Sequence, residues 1–128
     1  MTETCAVTTA MDRDDSSTGR VGAPMFGAKI KLVDWTEAGY LSTDKPYPRG
    51  EIVVGGDFVA NGYYRMPEKT AEVFKTVDGD RWYYTGDIAE AHPDGTFKIV
   101  DRKSDLVKLP MGEYISLGKI EAAIKGKK

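Results

Sequence analysis

Polar and apolar residues alternate along several stretches of the chain, with the period of two that a half-buried β-strand shows. Residues 28–34 follow this period, because Ala28, Ile30 and Leu32 fall on one side and the lysines between them fall on the other. Residues 51–59, "EIVVGGDFV", are instead a β-branched run without alternation. Their Gly-Gly pair predicts a bulge or a close approach of two backbones within that strand.

Two more strand-like stretches flank a short turn further along the chain. Residues 81–91, "RWYYTGDIAEA", predict a strand, and residues 92–95, "HPDG", predict a turn. Residues 96–102, "TFKIVDR", return to the alternating pattern, so the three stretches together predict a β-meander. Residues 105–109, "DLVKL", predict one more short strand.

Two segments have helical spacing. Residues 66–74, "MPEKTAEVF", place Pro67 where the first turn of a helix accepts proline. After Ser116, which suits the N-cap, apolar residues recur along one helical face. We therefore predict one helix near residues 67–74 and another that begins near Ser116.

The pattern changes from strands to a helix just after Asp101 and Arg102. A chain that is rich in strands up to this point and then starts a helix predicts an α+β, β-dominated fold. The residues after the change are too few to bury a core of their own, so we expect the chain to be a piece of a larger protein. Residues 1–20 are polar and without periodicity, which predicts a loop.

Composition narrows the function classes. The chain has 128 residues, 41% of them hydrophobic and 30% charged, with a formal net charge of -2. This is the composition of one modest soluble domain, and it lacks the basic surface that nucleic acid requires. Charge is uneven, because residues 1–100 hold 11 Lys and Arg against 16 Asp and Glu, whereas residues 101–128 hold 7 against 4. The basic end could face an anion or could simply be a solvated surface.

Cysteine and histidine offer little chemistry. Cys5 is the only cysteine, so no disulfide can form within the chain, and structural filler is its expected role. The only histidine, His92, is explained by its turn. No run approaches the roughly 18 apolar residues that a membrane helix needs, and the first residues do not resemble a signal peptide. We expect the 128-residue chain to be soluble.

Two charged tripeptides are the best candidates for ligand binding. Thr85-Gly86-Asp87 offers a glycine that permits a tight backbone approach and a carboxylate that can accept from two adjacent hydroxyls, such as those of a ribose. Asp101-Arg102-Lys103 offers a guanidinium that can bind phosphate or ribose oxygens. Taken singly, the first is better explained by a strand-to-turn junction and the second by a surface ion pair.

Their combination resembles the adenylate-forming superfamily of acyl-CoA synthetases, luciferases and peptide-synthetase adenylation domains. The segments that carry the resemblance occur in the superfamily's order: "MTET", "TGRVGAPMFGAKIKLVD", "PRGEIVVGG", "NGYYRMPEKTAEVF", "YYTGD" and "IVDRKSDLVKL". The stretch "GEYISLGKIEA" resembles the long-chain fatty acid–CoA ligase branch in particular. The resemblance implies a distorted β-barrel-like subdomain of the large domain, followed by a hinge and the start of a small domain.

The resemblance also implies roles for individual residues. Thr2 and Glu3 match positions that contact the nucleotide phosphates and Mg²⁺ respectively. Asp87 matches the ribose-binding aspartate, and Arg102 matches an arginine that also reaches the nucleotide. Asp101 matches the hinge, where the small domain rotates between adenylation and thioester formation.

The loop after the hinge carries two further expected residues. Lys108 is the catalytic residue that we expect within this sequence, and Gly112 is expected near coenzyme A, in a loop that approaches the pantetheine tunnel. A glycine there leaves room for the thiol-bearing chain. The interval from Arg102 to Gly112 is one residue longer than in many members of the superfamily.

The implied domain organisation has three parts. Residues 1–100 would be the β-rich C-terminal part of the AMP-binding large domain, residues 101–102 the hinge, and residues 103–128 the beginning of the small domain. The sequence contains no phosphate-binding loop that ends in lysine, and it stops before the superfamily's C-terminal catalytic lysine. The isolated chain is therefore expected to be inactive.

The implied parent enzyme is an ATP-dependent long-chain fatty acid–CoA ligase that uses ATP, Mg²⁺ and coenzyme A. Its partners would be ATP or AMP, a long-chain fatty acid and coenzyme A, with no nucleic acid. It would face the cytoplasm, peripheral or anchored at an intracellular membrane through regions outside this chain. Two alternatives stay open: another adenylate-forming branch, and a nonenzymatic β-rich nucleotide-binding remnant.

Overall fold

The computed structural model describes residues 1–126, which form nine strands and two α-helices. The strands are, in chain order, β1 (Thr9–Ala10), β2 (Ala23–Pro24), β3 (Lys29–Val33), β4 (Arg49–Gly55), β5 (Phe74–Val77), β6 (Asp80–Ala91), β7 (Phe97–Arg102), β8 (Leu106–Lys108) and β9 (Tyr114–Ser116). The helices are α1 (Pro67–Val73) and α2 (Leu117–Lys125). Three single turns of 3₁₀-helix lie at Thr2–Thr4, Thr36–Ala38 and Lys103–Asp105.

A five-stranded antiparallel sheet organises the molecule, and β6 is its central strand. One edge of β6 pairs with β4 along most of its length. The other edge is shared, because β5 pairs with its first half and β7 pairs with its second half. The sheet curls into a half-barrel, and the predicted β-dominated α+β fold is confirmed.

A bulge interrupts β6 where Thr85, Gly86 and Asp87 lie. Glu51 of β4 pairs with Ile88 and Val53 pairs with Tyr84, so the single residue between Glu51 and Val53 faces three residues of β6. Gly86 has a φ of +75°, which a residue with a Cβ adopts only at a cost. The tripeptide is therefore not a strand-to-turn junction, because β6 continues beyond it to Ala91, in agreement with the strand predicted over residues 81–91.

The main apolar cluster lies where β4, β5 and β6 meet. Its buried members are Val54, Val59, Phe74 and Tyr83. The rings of Phe74 and Tyr83 lie 5.1 Å apart between centroids, a separation at which aromatic pairs stabilise each other. The glycine pair at residues 55–56 marks a close approach of two backbones, as predicted. A Cβ on Gly56 would lie 2.7 Å from a backbone oxygen of the β2–β3 loop.

Both predicted helices are present. Helix α1 begins with Pro67 in its first turn, as predicted. Helix α2 begins after Ser116, whose side-chain oxygen accepts a hydrogen bond from the backbone N–H of Lys119 over 3.3 Å. Among the described residues, no helix is long and apolar enough to cross a membrane.

The first twenty residues are more ordered than the loop predicted from their polarity. Thr4 is 1% exposed and its hydroxyl accepts from Thr8 over 3.0 Å. Strand β1 pairs with β2, and the backbone N–H of Ala60 donates to the Glu3 carbonyl over 2.9 Å. Backbone and hydroxyl hydrogen bonds hold this segment, which is why hydrophobic periodicity did not reveal it.

Candidate functional site

The bulge in β6 is held open by three hydrogen bonds. The Thr85 hydroxyl donates to the Ile52 carbonyl over 2.7 Å and accepts from the backbone N–H of Asp87 over 3.0 Å. The backbone N–H of Gly86 donates to the Glu51 carboxylate over 3.0 Å. Because side chains satisfy backbone groups that the bulge removes from the β-ladder, the turn is fixed and the Asp87 side chain has a defined position.

Asp87 and Arg102 form an ion pair across the sheet. They are opposite each other in the register of β6 and β7, and Arg102 Nε donates to Asp87 Oδ1 over 2.8 Å. This hydrogen bond raises the pKa of Arg102, so the guanidinium stays charged. The Arg102 side chain is 62% exposed and that of Asp87 is 19% exposed, so most of the guanidinium faces solvent. The structure thus brings together the two side chains expected to reach the nucleotide.

Two clefts meet at Asp87. The first has a volume of about 340 Å³ and an apolar wall that includes Val7, Ile52 and Ile99, with Thr85 beside Asp87. The second has a volume of about 380 Å³ and contains Asp87 and Ile99 as well, together with charged residues of β7 and α2. A carboxylate between an apolar cleft and a charged one suits a ligand that has an apolar ring and polar substituents.

Asp101 lies in the second cleft, where it joins three parts of the chain. Its carboxylate accepts from the Tyr40 hydroxyl over 3.1 Å, from the Ser116 hydroxyl over 3.0 Å and from Lys119 Nζ over 3.0 Å. The Asp101 side chain is only 4% exposed. Its burial opposes ionisation, but the hydrogen bonds from Lys119 and Ser116 outweigh burial and lower the pKa of Asp101.

Lys103 makes a second connection near the pair. Its Nζ donates to Glu51 Oε2 over 2.6 Å and lies 4.9 Å from the centroid of the Trp35 ring. Glu51 is 5% exposed. Sequence reasoning missed Glu51, Tyr40 and Trp35, and the one available signal was a carboxylate at the start of the apolar run "EIVV".

Thr2 and Glu3 lie in the first 3₁₀ turn and line neither cleft, although Met1 and Val7 line the first. Glu3 Oε1 accepts from the Tyr63 hydroxyl over 2.8 Å. Burial and this hydrogen bond raise the pKa of Tyr63. No three His, Cys, Asp or Glu side chains within residues 1–126 form a metal-binding group. The Glu3 carboxylate is a hard oxygen donor of the kind that Mg²⁺ takes together with phosphates and water.

Lys108 and Gly112 lie in the hairpin formed by β8 and β9, and neither lines a cleft with Asp87. Lys108 is exposed, with its Nζ 5.6 Å from the centroid of the Tyr114 ring. Gly112 sits in the connecting loop with a φ of +89°. Tyr114 anchors the hairpin, because its hydroxyl donates to Glu37 over 3.0 Å and its ring packs on Trp35.

Comparison with known proteins identifies strong similarities. Residues 1–64 match the family described as AMP-binding enzyme. The chain is 56% identical over 125 residues to long chain acyl-CoA synthetase 8 of Arabidopsis thaliana, a match that covers 97% of the chain. It spans only 17% of the length of that relative.

Solved structures with a similar fold include an acyl-CoA synthetase and an adenylating domain. The ATP- and magnesium-bound O-succinylbenzoate coenzyme A synthetase of Bacillus subtilis aligns with a TM-score of 0.74 and 29% identity, over 98% of this chain and 25% of that one. The A domain of a Segniliparus rugosus carboxylic acid reductase, in complex with AMP and a co-purified carboxylic acid, aligns with a TM-score of 0.63 and 46% identity. That alignment covers 74% of this chain and 15% of the reductase chain.

Proposed function

The chain belongs to the AMP-binding enzyme family, and from that membership we propose that it supplies part of the nucleotide site and the hinge of a long-chain fatty acid–CoA ligase. The observation that carries the proposal is the Asp87–Arg102 pair between two clefts, in a chain 56% identical to a long chain acyl-CoA synthetase. In the reaction, a fatty carboxylate and ATP form acyl-adenylate and pyrophosphate. The thiol of coenzyme A then displaces AMP and forms the thioester.

Asp87 would bind the ribose of ATP. A carboxylate accepts hydrogen bonds and cannot donate them when ionised, so the two vicinal hydroxyls of a ribose complement it. Arg102 uses Nε on Asp87 Oδ1, and within residues 1–126 no hydrogen bond is made to Oδ2. The pair therefore retains acceptor capacity at Asp87 and donor capacity on the exposed part of the guanidinium.

Glu3 and Thr2 would serve the phosphate end. The Glu3 carboxylate is a hard oxygen ligand of the kind that Mg²⁺ prefers, and the Thr2 hydroxyl can donate to a phosphate oxygen. A bound Mg²⁺ would offset the negative charge of the phosphates. The hydrogen bond from Tyr63 fixes one oxygen of Glu3, so the carboxylate is held in one orientation.

Asp101 would be the hinge between residues 1–100 and residues 103–128, with residues 101–102 as its pivot. Support comes from its carboxylate, which connects Tyr40 on one side to Ser116 and Lys119 on the other. A rotation about this point must break at least one of these hydrogen bonds. Lys108 and Gly112 would then move towards coenzyme A in the second half-reaction, Lys108 as a catalytic cation and Gly112 as an open passage.

A second candidate is an adenylating domain that hands its acyl group to another acceptor. The similarity to the A domain of a carboxylic acid reductase favours it, because that alignment also has high identity. The two candidates share acyl-adenylate formation and differ in the acceptor of the acyl group. A water-insoluble fatty acid favours work at a membrane surface, and we propose that the full-length protein faces the cytoplasm there.

The experiment uses the purified full-length protein that carries this sequence, with ATP, Mg²⁺ and radiolabelled palmitate. The ligase proposal expects pyrophosphate release followed by palmitoyl-CoA when coenzyme A is added. Pyrophosphate release without palmitoyl-CoA would support the second candidate instead. Release of neither product from palmitate or other fatty acids would contradict both. Residues 1–128 alone are expected to form no acyl-CoA, which makes them the matched negative control.

A further inference from the structure

We propose that Glu51 is a positioning residue for this reaction, because it holds the Asp87 turn and ties that turn to Lys103 next to Arg102. The proposal rests on the function proposed above, in which Asp87 and Arg102 bind the nucleotide. Glu51 itself touches neither cleft, since it lines neither of the two spaces that meet at Asp87. It acts through the backbone of Gly86 and through the Lys103 ammonium.

The bulge creates a need for an acceptor. Where one residue of β4 faces three residues of β6, the backbone N–H of Gly86 has no partner in the strand ladder. Gly86 is half-buried, and a backbone donor that loses water without gaining an acceptor is unfavourable, so an acceptor from elsewhere stabilises the bulge. Glu51 Oε1 supplies it over 3.0 Å. The position of Asp87, one residue further along, therefore depends on the Glu51 side chain.

The same carboxylate needs a cation. A side chain that is 7% exposed loses most of its hydration, and an ionised carboxylate in that position requires compensating charge. Lys103 Nζ supplies this charge to Oε2 over 2.6 Å, and the nearby Trp35 ring limits where the ammonium can lie. Both oxygens of Glu51 are thus used, each for a different part of the site.

These contacts close a ring around the nucleotide-binding pair. Along the ring, Glu51 binds Gly86, Gly86 is bonded to Asp87, Asp87 binds Arg102, Arg102 is bonded to Lys103, and Lys103 returns to Glu51. A closed ring restrains Asp87 and Arg102 relative to each other better than their own exposed ion pair can, since that pair alone is weak in water. A preorganised pair binds the ribose without first being ordered.

The test compares four single variants of the full-length protein, and the double variant Glu51→Gln/Lys103→Met, by the kcat/KM of pyrophosphate release with ATP and with 2′-deoxyATP. Glu51→Ala removes both contacts, Glu51→Gln keeps an oxygen for Gly86 but loses the charge, and Lys103→Met removes the cation. Lys29→Met is the matched control, because its ion pair with Asp80 is half-exposed and lies outside the site. Thermal unfolding of each variant separates loss of fold from loss of function.

We expect Glu51→Ala to lower kcat/KM for ATP about 10- to 100-fold, the cost of a lost charge-assisted hydrogen bond, and to reduce the preference for ATP over 2′-deoxyATP. If the role of Glu51 were purely structural, Glu51→Ala would lower kcat/KM by the same factor for ATP and for 2′-deoxyATP. That result would overturn the proposal. Lys29→Met should change neither value.

Glu51→Gln and Lys103→Met keep the proposal testable if Glu51→Ala does not fold. Each should lower kcat/KM for ATP by a similar factor. The double variant should have a kcat/KM no lower than either single variant, because both substitutions remove the same interaction between Glu51 and Lys103. Losses that multiply in the double variant would show that the two side chains act independently and would refute the ring. If the unaltered protein releases no pyrophosphate, the proposed function is wrong. That outcome is distinct from a variant result that refutes only the role of Glu51.

Discussion

Asp87 and Arg102 face each other across β6 and β7, and the guanidinium donates to the carboxylate over 2.8 Å. The bulge that carries Asp87 is formed by β4 and β6, whereas Arg102 ends β7. Residues from three strands therefore determine one pair, and changes in the sheet, the bulge or the hinge should have separable effects.

The apolar cluster should control stability. Phe74→Ala removes a ring that is 6% exposed and should lower the free energy of unfolding by about 3–5 kcal/mol. Phe26→Ala is the matched control, because Phe26 is fully exposed and its loss should change stability by less than about 0.5 kcal/mol. Urea unfolding of both variants checks this, and equal losses would contradict the assignment of the core.

A side chain at Gly86 would fit into the space at the bulge, but its positive φ would strain the backbone. Gly86 and Gly79 have φ values of +75° and +82°, and a Cβ on either would meet no atom within 4 Å. Each change to alanine should therefore cost about 1 kcal/mol of stability from backbone strain alone. Only Gly86→Ala should also raise the KM for ATP, because only that strain shifts Asp87. An unchanged KM in Gly86→Ala would count against a fixed turn.

Acid should weaken the connection at Asp101. The folded-state pKa of Asp101 lies below its usual value of 3.8, so its contribution to stability is present above that value and is lost as pH falls through the folded-state pKa. Asp101→Asn should lower the melting temperature near neutral pH, and the difference from the unaltered protein should shrink below about pH 4. A difference that is constant from neutral pH to pH 2 would exclude this linkage.

Lys108 should affect only the second half-reaction. It lies in the β8–β9 hairpin away from Asp87, so Lys108→Met should leave the first burst of pyrophosphate within about twofold of normal while it slows transfer to coenzyme A. Rapid-quench measurement of both steps in the full-length protein tests this. Lys98→Met, an exposed lysine on β7, is the control and should change neither step. Equal slowing of both steps would refute the assignment.

Local pattern predicted both helices and the strands β3, β4, β6, β7 and β8, but it did not reveal the short strands β1, β2, β5 and β9. The alternation of residues 28–34 and 96–102 corresponds to β3 and β7, and Pro67 and Ser116 mark where the helices begin. These features depend on near neighbours in the sequence, so composition and spacing reveal them.

Long-range partners were not predictable in the same way. Nothing near Glu51 in the sequence indicates that its carboxylate meets Gly86 and Lys103, which are 35 and 52 residues away. The bulge itself arises from the register of β4 against β6, and register is a property of two strands together. The sequence therefore indicated Asp87 and Arg102 but not the groups that hold them.

In the proposed site, Asp87 accepts hydrogen bonds from both ribose hydroxyls of ATP. Asp87→Ala in the full-length protein should lower kcat/KM for ATP in pyrophosphate release by about 3–4 kcal/mol, or about 100- to 1,000-fold, because two charge-assisted hydrogen bonds are lost. Asp94→Ala, which removes a carboxylate in the β6–β7 turn, is the control and should leave the value unchanged.

The most direct measurement is the ratio of kcat/KM for ATP to that for 2′-deoxyATP, compared between the unaltered protein and Asp87→Ala. The unaltered protein should prefer ATP by about 10- to 100-fold, the worth of one charge-assisted hydrogen bond, and the variant should show a preference below about threefold. A variant that keeps the full preference for ATP would show that the ribose is bound elsewhere and would contradict the role proposed for Asp87.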